Sequence, residues 1–222
     1  MNKTVWFFPK LAGARWSLVS GKKADRRVQR TQRLLHQALM SSIVEKRYES
    51  ITVQEILDRA DVGRSTFYMH YRDKDELLAD GLQHLKGLLI SAQSCSAAPP
   101  GRPYEKIIGF SLAIFEHLAA RRELLRALLG SSAEPVVRRA IHSALTAVVG
   151  QEVEKEFQRR KRKAGPVSRE LVTHFLVSTY ISMLTWWLNS KNPSPPKDID
   201  AAYGQLVLPC LASIFGEQHI QK

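Results

Sequence analysis

The chain has 222 residues, of which 44% are hydrophobic, with a formal net charge of +12 and two cysteines. This apolar content is enough for a folded core and excludes a disordered chain. Cys95 and Cys210 cannot form a disulfide framework, and no Cys/His spacing indicates zinc, so we expect a reduced, cytoplasmic protein without a metal or other cofactor. No apolar run approaches the roughly 20 residues that cross a bilayer, so no membrane partner is expected.

The positive charge favours a polyanionic partner but does not choose among DNA, RNA and acidic lipid surfaces. Residues 1–80 contain 15 Lys and Arg against 10 Asp and Glu, a net charge of +5, and residues 81–222 contain 18 against 11, a net of +7. Because the excess is spread along the chain, the position of individual cations matters more than the total.

Residues 1–21 lack the continuous apolar stretch of a secretory signal, since Pro9 interrupts the short patch that precedes it. We expect a flexible N-terminal extension there, followed by a DNA-binding domain over 22–80 and a regulatory and dimerisation domain over 81–222. Helical periodicity dominates from Asp25 onward and strand signals are nearly absent. The prediction is an all-α protein of about nine helices, over 25–47, 53–60, 64–71, 74–93, 104–120, 121–129, 135–163, 168–189 and 198–215.

Residues 52–71 have the spacing of a helix–turn–helix. Thr52 and Glu55 form a predicted capping box, in which each side chain accepts a hydrogen bond from the other residue's backbone amide. The helix ends before a three-residue turn that contains Gly63, and a short second helix follows, with Val62 and Phe67 as the expected core anchors. This geometry allows the short helix to enter a major groove while the preceding helix crosses above it. A helix pair with a glycine turn is also common in helical proteins, where the short helix would be packing surface.

The candidate DNA-binding residues lie in and around this unit. Arg64 suits guanine, whereas the Thr66 methyl group and Met69 suit thymine. The basic segment before the first helix suits phosphates or a minor groove, and Lys74 lies beside helix amides suited to phosphate. The predicted set is Lys22, Lys23, Arg26, Arg27, Thr52, Val53, Gln54, Gly63, Arg64, Ser65, Thr66, Tyr68, Met69, His70, Tyr71 and Lys74.

The run from Arg27 to Leu82, and especially ITVQEILDRADVGRSTFYMHYRDKDELL, resembles the DNA-binding domain of the TetR (tetracycline-repressor-like) family of transcriptional regulators. The resemblance implies a homodimer in which each subunit offers one helix–turn–helix to half of a palindromic double-stranded operator. It also implies phosphate contacts by Thr52, Tyr71 and Lys74 and base reading by the segment Arg64–His70. Gly63 stands where the family often has a serine cap, and glycine is a workable cap.

Residues 104–216 resemble the family only in layout, which implies a helical bundle that holds a ligand pocket and the dimer interface. The last two helices have more apolar surface than one subunit can cover. The predicted interface residues are Leu171, Phe175, Thr179, Met183, Trp186, Ile199, Leu206, Leu211 and Ile214. The candidate pocket residues, for each of which ordinary core packing is the better explanation, are Phe110, Phe115, His117, Tyr180, Met183 and Trp187.

The leading hypothesis is a homodimeric repressor that a small-molecule effector releases from its operator. The alternative is a regulator of the same kind without a small-molecule ligand, controlled by a partner protein or acting as an activator. An enzyme that pairs His117, His142 or His174 with a carboxylate is not supported by any catalytic spacing. The basic run Arg159–Lys163 is interpreted as the exposed end of a long helix, where cations complement the helix dipole.

Overall fold

A computed structural model describes residues 24–96, 102–159 and 167–216. The predicted extension over 1–21, Lys22 and Lys23 lie outside the described residues. The all-α prediction is confirmed, because the described residues form ten α-helices and two short 3-10 helices, without a strand. The α-helices are α1 (Ala24–Glu45), α2 (Val53–Ala60), α3 (Arg64–Tyr68), α4 (Lys74–Gly81), α5 (His84–Cys95), α6 (Ser111–Ala119), α7 (Arg122–Leu129), α8 (Glu134–Arg159), α9 (Arg169–Asn189) and α10 (Pro196–Phe215), and the 3-10 helices are Tyr48–Ser50 and Pro103–Ile108.

Two predicted helices are divided differently in the structure. The single helix expected over 74–93 is interrupted between α4 and α5, next to Gly81, where a Cβ atom would come within 3.2 Å of the His36 ring. The helix expected from Tyr104 begins as the 3-10 helix Pro103–Ile108, and α6 starts only at Ser111. Glycine has low helix propensity and proline lacks an amide, so both differences occur beside residues that weaken an α-helix.

The N-terminal helices pack around α1. Leu35 and Leu39 of α1 are fully buried, and Ile56 of α2 and Phe67 of α3 belong to the same core. α1 contacts α2 and α4 along its length. The apolar positions of α1 recur at three- and four-residue steps, which places them on the one face that these helices cover.

The C-terminal helices pack around the long pair α8 and α9, which make the most extensive contact between two helices in the described part of the chain. α10 packs on α6 and on α9. By length and composition, α9 is the one described helix that is apolar enough to cross a membrane. Its contacts with α7, α8 and α10 are also those of a core helix, because Val172, Leu176 and Leu184 on one side are buried.

Among the described residues, three contacts between the two groups of helices stand out. α4 packs on α8, and α1 packs on α7. In addition, the backbone amide of Ser132, in the turn between α7 and α8, donates a hydrogen bond to Glu49 Oε1 at 2.6 Å. This hydrogen bond lowers the pKa of the Glu49 carboxyl. The connection between α1 and α2 is therefore joined to the connection between α7 and α8.

Candidate nucleic-acid interface

The capping box predicted at the start of α2 is present. Thr52 Oγ1 accepts from the Glu55 amide at 3.2 Å, and Glu55 Oε2 accepts from the Thr52 amide at 2.9 Å. Lys46 donates to Glu55 Oε1 at 2.5 Å, and together with the Thr52 amide it lowers the pKa of Glu55 to about 2. This pair fixes the residue from which α2 starts, and it leaves Thr52 and Gln54 exposed beside each other.

The turn between α2 and α3 is formed by Asp61, Val62 and Gly63. Asp61 ends α2 in the left-handed conformation, with φ of 52°, and its amide donates to the Leu57 carbonyl. Aspartate is one of the few residues that adopt this conformation without large strain. Val62 packs against the core, and Gly63 is the N-cap of α3 without a side-chain hydrogen bond. The turn thus sets the angle at which α3 leaves α2.

The short helix α3 presents its polar residues to solvent because a single buried ring anchors it. Phe67 is fully buried, whereas Tyr68 is 52% and Met69 is 75% exposed. Arg64 and Ser65 are exposed, and no acidic side chain within the described ranges lies within 4.0 Å of Arg64. The helix ends at Tyr68, three residues earlier than predicted. Thr66 and His70 are half-buried at the margin of this surface.

Tyr71 does not lie where the predicted phosphate contact requires it. Its side chain is 4% exposed, and its hydroxyl donates to Asp80 Oδ2 at 2.6 Å. His36 Nε2 lies 3.1 Å from the Leu77 carbonyl and 3.4 Å from Asp80 Oδ2. Because both neighbours accept, Nε2 must carry the proton. Tyr71 therefore joins the end of the α3 segment to α4 in the interior, and we correct its predicted role accordingly.

Lys74 also has a different role from the one predicted. Its ammonium donates to the Tyr48 carbonyl at 2.7 Å and to the Ile51 carbonyl at 2.8 Å, and it lies 4.5 Å from the centre of the Tyr48 ring. The Tyr48 hydroxyl in turn donates to Asp75 at 2.6 Å. An ammonium has three donors, and at least two are used within the protein. Lys74 thus attaches α4 to the α1–α2 connection instead of projecting towards a phosphate.

The remaining predicted residues divide by exposure. Val53 is half-buried against the core, which removes it from the candidate DNA surface. Gln54 is exposed and donates to Asp58 at 2.8 Å. Arg26 and Arg27 are exposed at the start of α1. The structure therefore leaves Arg26, Arg27, Thr52, Gln54 and the α3 surface exposed as candidates for the interface, with Gly63 in the turn before α3.

Sequence reasoning missed the polar residues that hold this surface in place, namely His36, Tyr48, Asp75 and Asp80. One signal was available. His36 falls on the apolar face of α1, next to Leu35 and one turn before Leu39, where a polar side chain needs a buried partner.

The predicted pocket residues are largely packed core. Phe110, Phe115, Tyr180 and Trp187 are each at most 1% exposed, and their ring centroids lie 5.1–5.4 Å apart in successive contacts. His117 lies beside Arg121, and Met183 packs against the core. None of the six lines the surface groove that includes Asp200 or the one that includes Trp186. We therefore correct this prediction: these rings fill the space that a ligand would need.

The predicted dimer residues fall into three groups by exposure. Leu171, Phe175 and Trp186 are exposed on α9, and Leu206 is 62% exposed on α10, which leaves large apolar side chains in water. Thr179, Met183 and Ile214 are half-buried. Ile199 and Leu211 are at most 4% exposed and belong to the subunit's own core, so their assignment to an interface was wrong.

A short exposed helix, anchored by one ring behind a glycine-containing turn and preceded by exposed arginines, defines a helix–turn–helix DNA-binding protein. The profile described as "Bacterial regulatory proteins, tetR family" matches residues 35–80, and the TetR profile described as "Transcriptional regulator C-terminal region" matches residues 105–207. Together they cover about two thirds of the chain. The chain belongs to the TetR family of transcriptional regulators, which are not enzymes.

Relatives of known sequence are named as regulators of the same kind. The chain is 24% identical over 180 residues to the uncharacterised HTH-type transcriptional regulator YxbF of Bacillus subtilis, which covers 79% of this chain and 44% of the relative. It is 26% identical over 133 residues to an uncharacterised HTH-type transcriptional regulator of Mycobacterium tuberculosis, which covers 57% of this chain and 62% of that protein. The chain thus spans less than two thirds of the length of these relatives.

Solved structures have the same fold. A TetR transcriptional regulator from Streptococcus agalactiae has a TM-score of 0.60 and 26% identity, over 83% of this chain and 97% of its own. A putative TetR-family regulator from Syntrophomonas wolfei has a TM-score of 0.62 and 18% identity, over 87% and 99%. RolR, solved in complex with resorcinol, has a TM-score of 0.53 and 16% identity, over 87% and 91%.

Proposed function

We propose that the chain is a homodimeric repressor that binds a palindromic operator in the cytoplasm and is released from it by a small molecule. Residues 22–80 form its DNA-binding unit and residues 81–222 its regulatory and dimerisation unit. The observation that carries the DNA-binding part is the exposed surface of α3. There, Arg64, Ser65, Tyr68 and Met69 project from a helix whose position is fixed by the buried ring of Phe67.

The homodimer is supported by the exposed apolar side chains of α9 and α10. Leu171, Phe175 and Trp186 are spaced so that they share one side of α9, opposite the buried side that contains Leu176 and Leu184. Contiguous apolar surface of this kind marks an interaction site in soluble proteins. A second copy, related by twofold symmetry, would cover it with the same surface and present two α3 helices. Two half-sites one helical turn, about 34–36 Å, apart would then be read together.

Two measurements test this proposal. Fluorescence anisotropy with DNA fragments that flank the protein's own gene should show selective binding that weakens as salt rises, because phosphate neutralisation releases counterions. Equal affinity for a scrambled fragment would contradict operator recognition.

Sedimentation should show a dimer that Trp186→Glu disrupts, because the substitution introduces a charge into the apolar surface. Gln151→Glu, an added charge on the exposed side of α8, is the matched control and should leave the dimer intact. If the dimer persists in Trp186→Glu, the exposed apolar surface around Trp186 is not the dimer interface.

There is one alternative to release by a small molecule. The aromatic cluster around Tyr180 is packed, and this favours a regulator without a small-molecule ligand, controlled by a partner protein. The observation that favours a small-molecule ligand is an open groove beside α10, whose volume is within the range of small-molecule sites. The bound resorcinol of RolR is a precedent for a ligand in this fold, and we extend it to this chain as a proposal.

A further inference from the structure

The groove beside α10 has a volume of about 920 Å³ and is open to solvent. Three elements form it: the 3-10 helix Pro103–Ile108, the start of α6 and one flank of α10. Its walls include apolar side chains from all three elements, among them Tyr104, Ile108, Leu112 and Leu208. Ligand sites of about 300–1,000 Å³ with apolar walls and few polar groups are typical of drug-sized molecules.

Asp200 is one of the two carboxylates that line this groove and is about half-buried. The Ser111 hydroxyl donates to its Oδ1, and burial, with a further contribution from Glu116, raises the pKa of the carboxyl. No cationic side chain within the described ranges lies within 4.0 Å of it. A partly buried carboxylate is unfavourable without a cationic or hydrogen-bonding partner, and here a single hydroxyl supplies that partner.

The other charged groups of the groove balance each other. Arg102 and Glu105 form an ion pair at 2.8 Å on the 3-10 helix, so this arginine already has a carboxylate partner. Gln205 adds a neutral polar group on α10. The groove therefore combines apolar walls with one negative charge that the described part of the protein leaves uncompensated, which is complementary to a positive charge on an apolar molecule.

We propose that this groove binds a small organic cation, a protonated amine on an apolar body, whose N–H donates to Asp200. The proposal rests on the proposed function only in taking this cation as the effector of the regulator. A charge-assisted hydrogen bond to the carboxylate supplies specificity, and the walls cover the apolar body.

The site is compatible with the proposed dimer and adjoins the aromatic cluster. At 3.6 residues per turn, Leu206 lies about 160° around α10 from Gly204 but only about 60° from Pro209, so covering the Leu206 side leaves the Gly204 side of the groove open and approaches its Pro209 edge. The hydroxyl of Ser111 donates a hydrogen bond to Asp200. The backbone carbonyl of the same serine accepts a hydrogen bond from the Tyr180 hydroxyl at 3.1 Å. An occupant of the groove therefore lies one residue away from the packed rings between α6 and α9.

The test is isothermal titration calorimetry of the full chain with three probes that differ in charge: 4-phenylbutylammonium, 4-phenylbutan-1-ol and 5-phenylpentanoate. We expect the ammonium to bind about tenfold more tightly than the alcohol or more, because its N–H bonds to a carboxylate. Asp200→Asn should remove this preference and leave the affinity of the alcohol unchanged. Asp198→Asn, two residues earlier on the exposed side of α10, is the matched control and should bind like the wild type.

Ala201→Trp fills the groove from an exposed position and should weaken all binding, with an unchanged melting curve by circular dichroism. Equal affinities for ammonium and alcohol, retention of the preference in Asp200→Asn, or no heat from the ammonium at about 1 mM would each overturn the site. Anisotropy with operator DNA separates this result from the proposed function. If the amine binds through Asp200 but the chain does not bind DNA selectively, or is not released from it, the site stands and the repressor proposal fails.

Discussion

In α1–α4, polar side chains fix where helices begin and how they meet, whereas in α6–α10 large buried aromatic rings do so. Thr52 and Glu55 define the start of α2, and Lys74 binds the carbonyls of the preceding connection. Phe115 of α6, by contrast, meets Tyr180 and Trp187 of α9. Directional hydrogen bonds hold a surface in one geometry, while packed rings exclude water but specify geometry less sharply.

The largest effect is expected from removing a ring of the aromatic cluster. Trp187 is 1% exposed, and Trp187→Ala should lower the free energy of unfolding by about 3–5 kcal/mol, because the cavity left behind cannot fully collapse. Chemical denaturation measures this loss. The adjacent Trp186 is 64% exposed, so Trp186→Ala should change subunit stability by about 0.5 kcal/mol or less and act on association instead. Similar losses in both variants would remove the distinction between a packed ring and an interface ring.

A smaller effect is expected from the polar attachment of α4. Lys74→Met removes donors from the Tyr48 and Ile51 carbonyls and should lower the free energy of unfolding by about 1–3 kcal/mol. The slope of DNA affinity against salt should stay unchanged, since this ammonium is engaged within the protein. Lys191→Met, at an exposed position after α9, is the control for loss of a lysine charge. If the slope of log affinity against log salt concentration instead falls by about one unit in Lys74→Met, Lys74 contacts a DNA phosphate after all.

The cap of α2 should contribute less. Thr52→Ala removes the side-chain acceptor for the Glu55 amide and should lower the free energy of unfolding by about 1 kcal/mol. Thr52→Ser keeps the hydroxyl and should retain most of the wild-type value, as measured by the same denaturation experiment. Equal losses in the two variants would indicate that the threonine methyl group, rather than the cap, is responsible.

The smallest effect concerns pH. His36 and then Tyr71 lower the pKa of Asp80 by hydrogen bonding, against the opposing effect of burial. Because the folded state binds this proton less readily than the unfolded state, the contribution to stability is present above the unfolded pKa of about 3.9 and is lost as pH falls below it. The melting-temperature difference between wild type and Asp80→Asn should therefore be largest near neutral pH and shrink below about pH 4. A melting-temperature difference that grows as the pH falls would contradict the assignment to Asp80. Glu76 is the other carboxyl that contributes to raising the pKa of Tyr71.

The sequence predicts the N-terminal fold well because its signals are local. The capping box, the turn at Gly63 and the buried Phe67 each depend on residues within a few positions, and each is found. The partners of Tyr71 and Lys74 within the protein were not predicted, because they depend on Asp80 and on the Tyr48 turn. A cation or hydroxyl at a plausible position looks the same in sequence whether its partner is a phosphate or a buried group of the protein.

The C-terminal site was less predictable because apolar periodicity does not say which side of a helix is covered by its own subunit. Leu206 and Leu211 both belong to the apolar pattern of α10, yet only Leu206 is exposed. The aromatic residues Phe110, Phe115, Tyr180 and Trp187 were candidates for a pocket because of their residue type, but in the structure they pack against each other. The sequence does not mark Asp200 as a candidate site residue, because its environment depends on Ser111, which lies 89 residues earlier.

The hydrogen bond between Glu49 and the Ser132 amide has a consequence for the distance between two operator-binding surfaces. With the packing of α4 on α8 and of α1 on α7, it gives the N-terminal helices three separate attachments to the rest of the subunit. Several separate attachments restrict rotation of the N-terminal helices relative to the rest of the subunit. In the proposed dimer, the separation of the two α3 helices would then be set by how the α9 and α10 surfaces of the two subunits meet, so that a small rotation at that distant interface becomes a large displacement at the DNA.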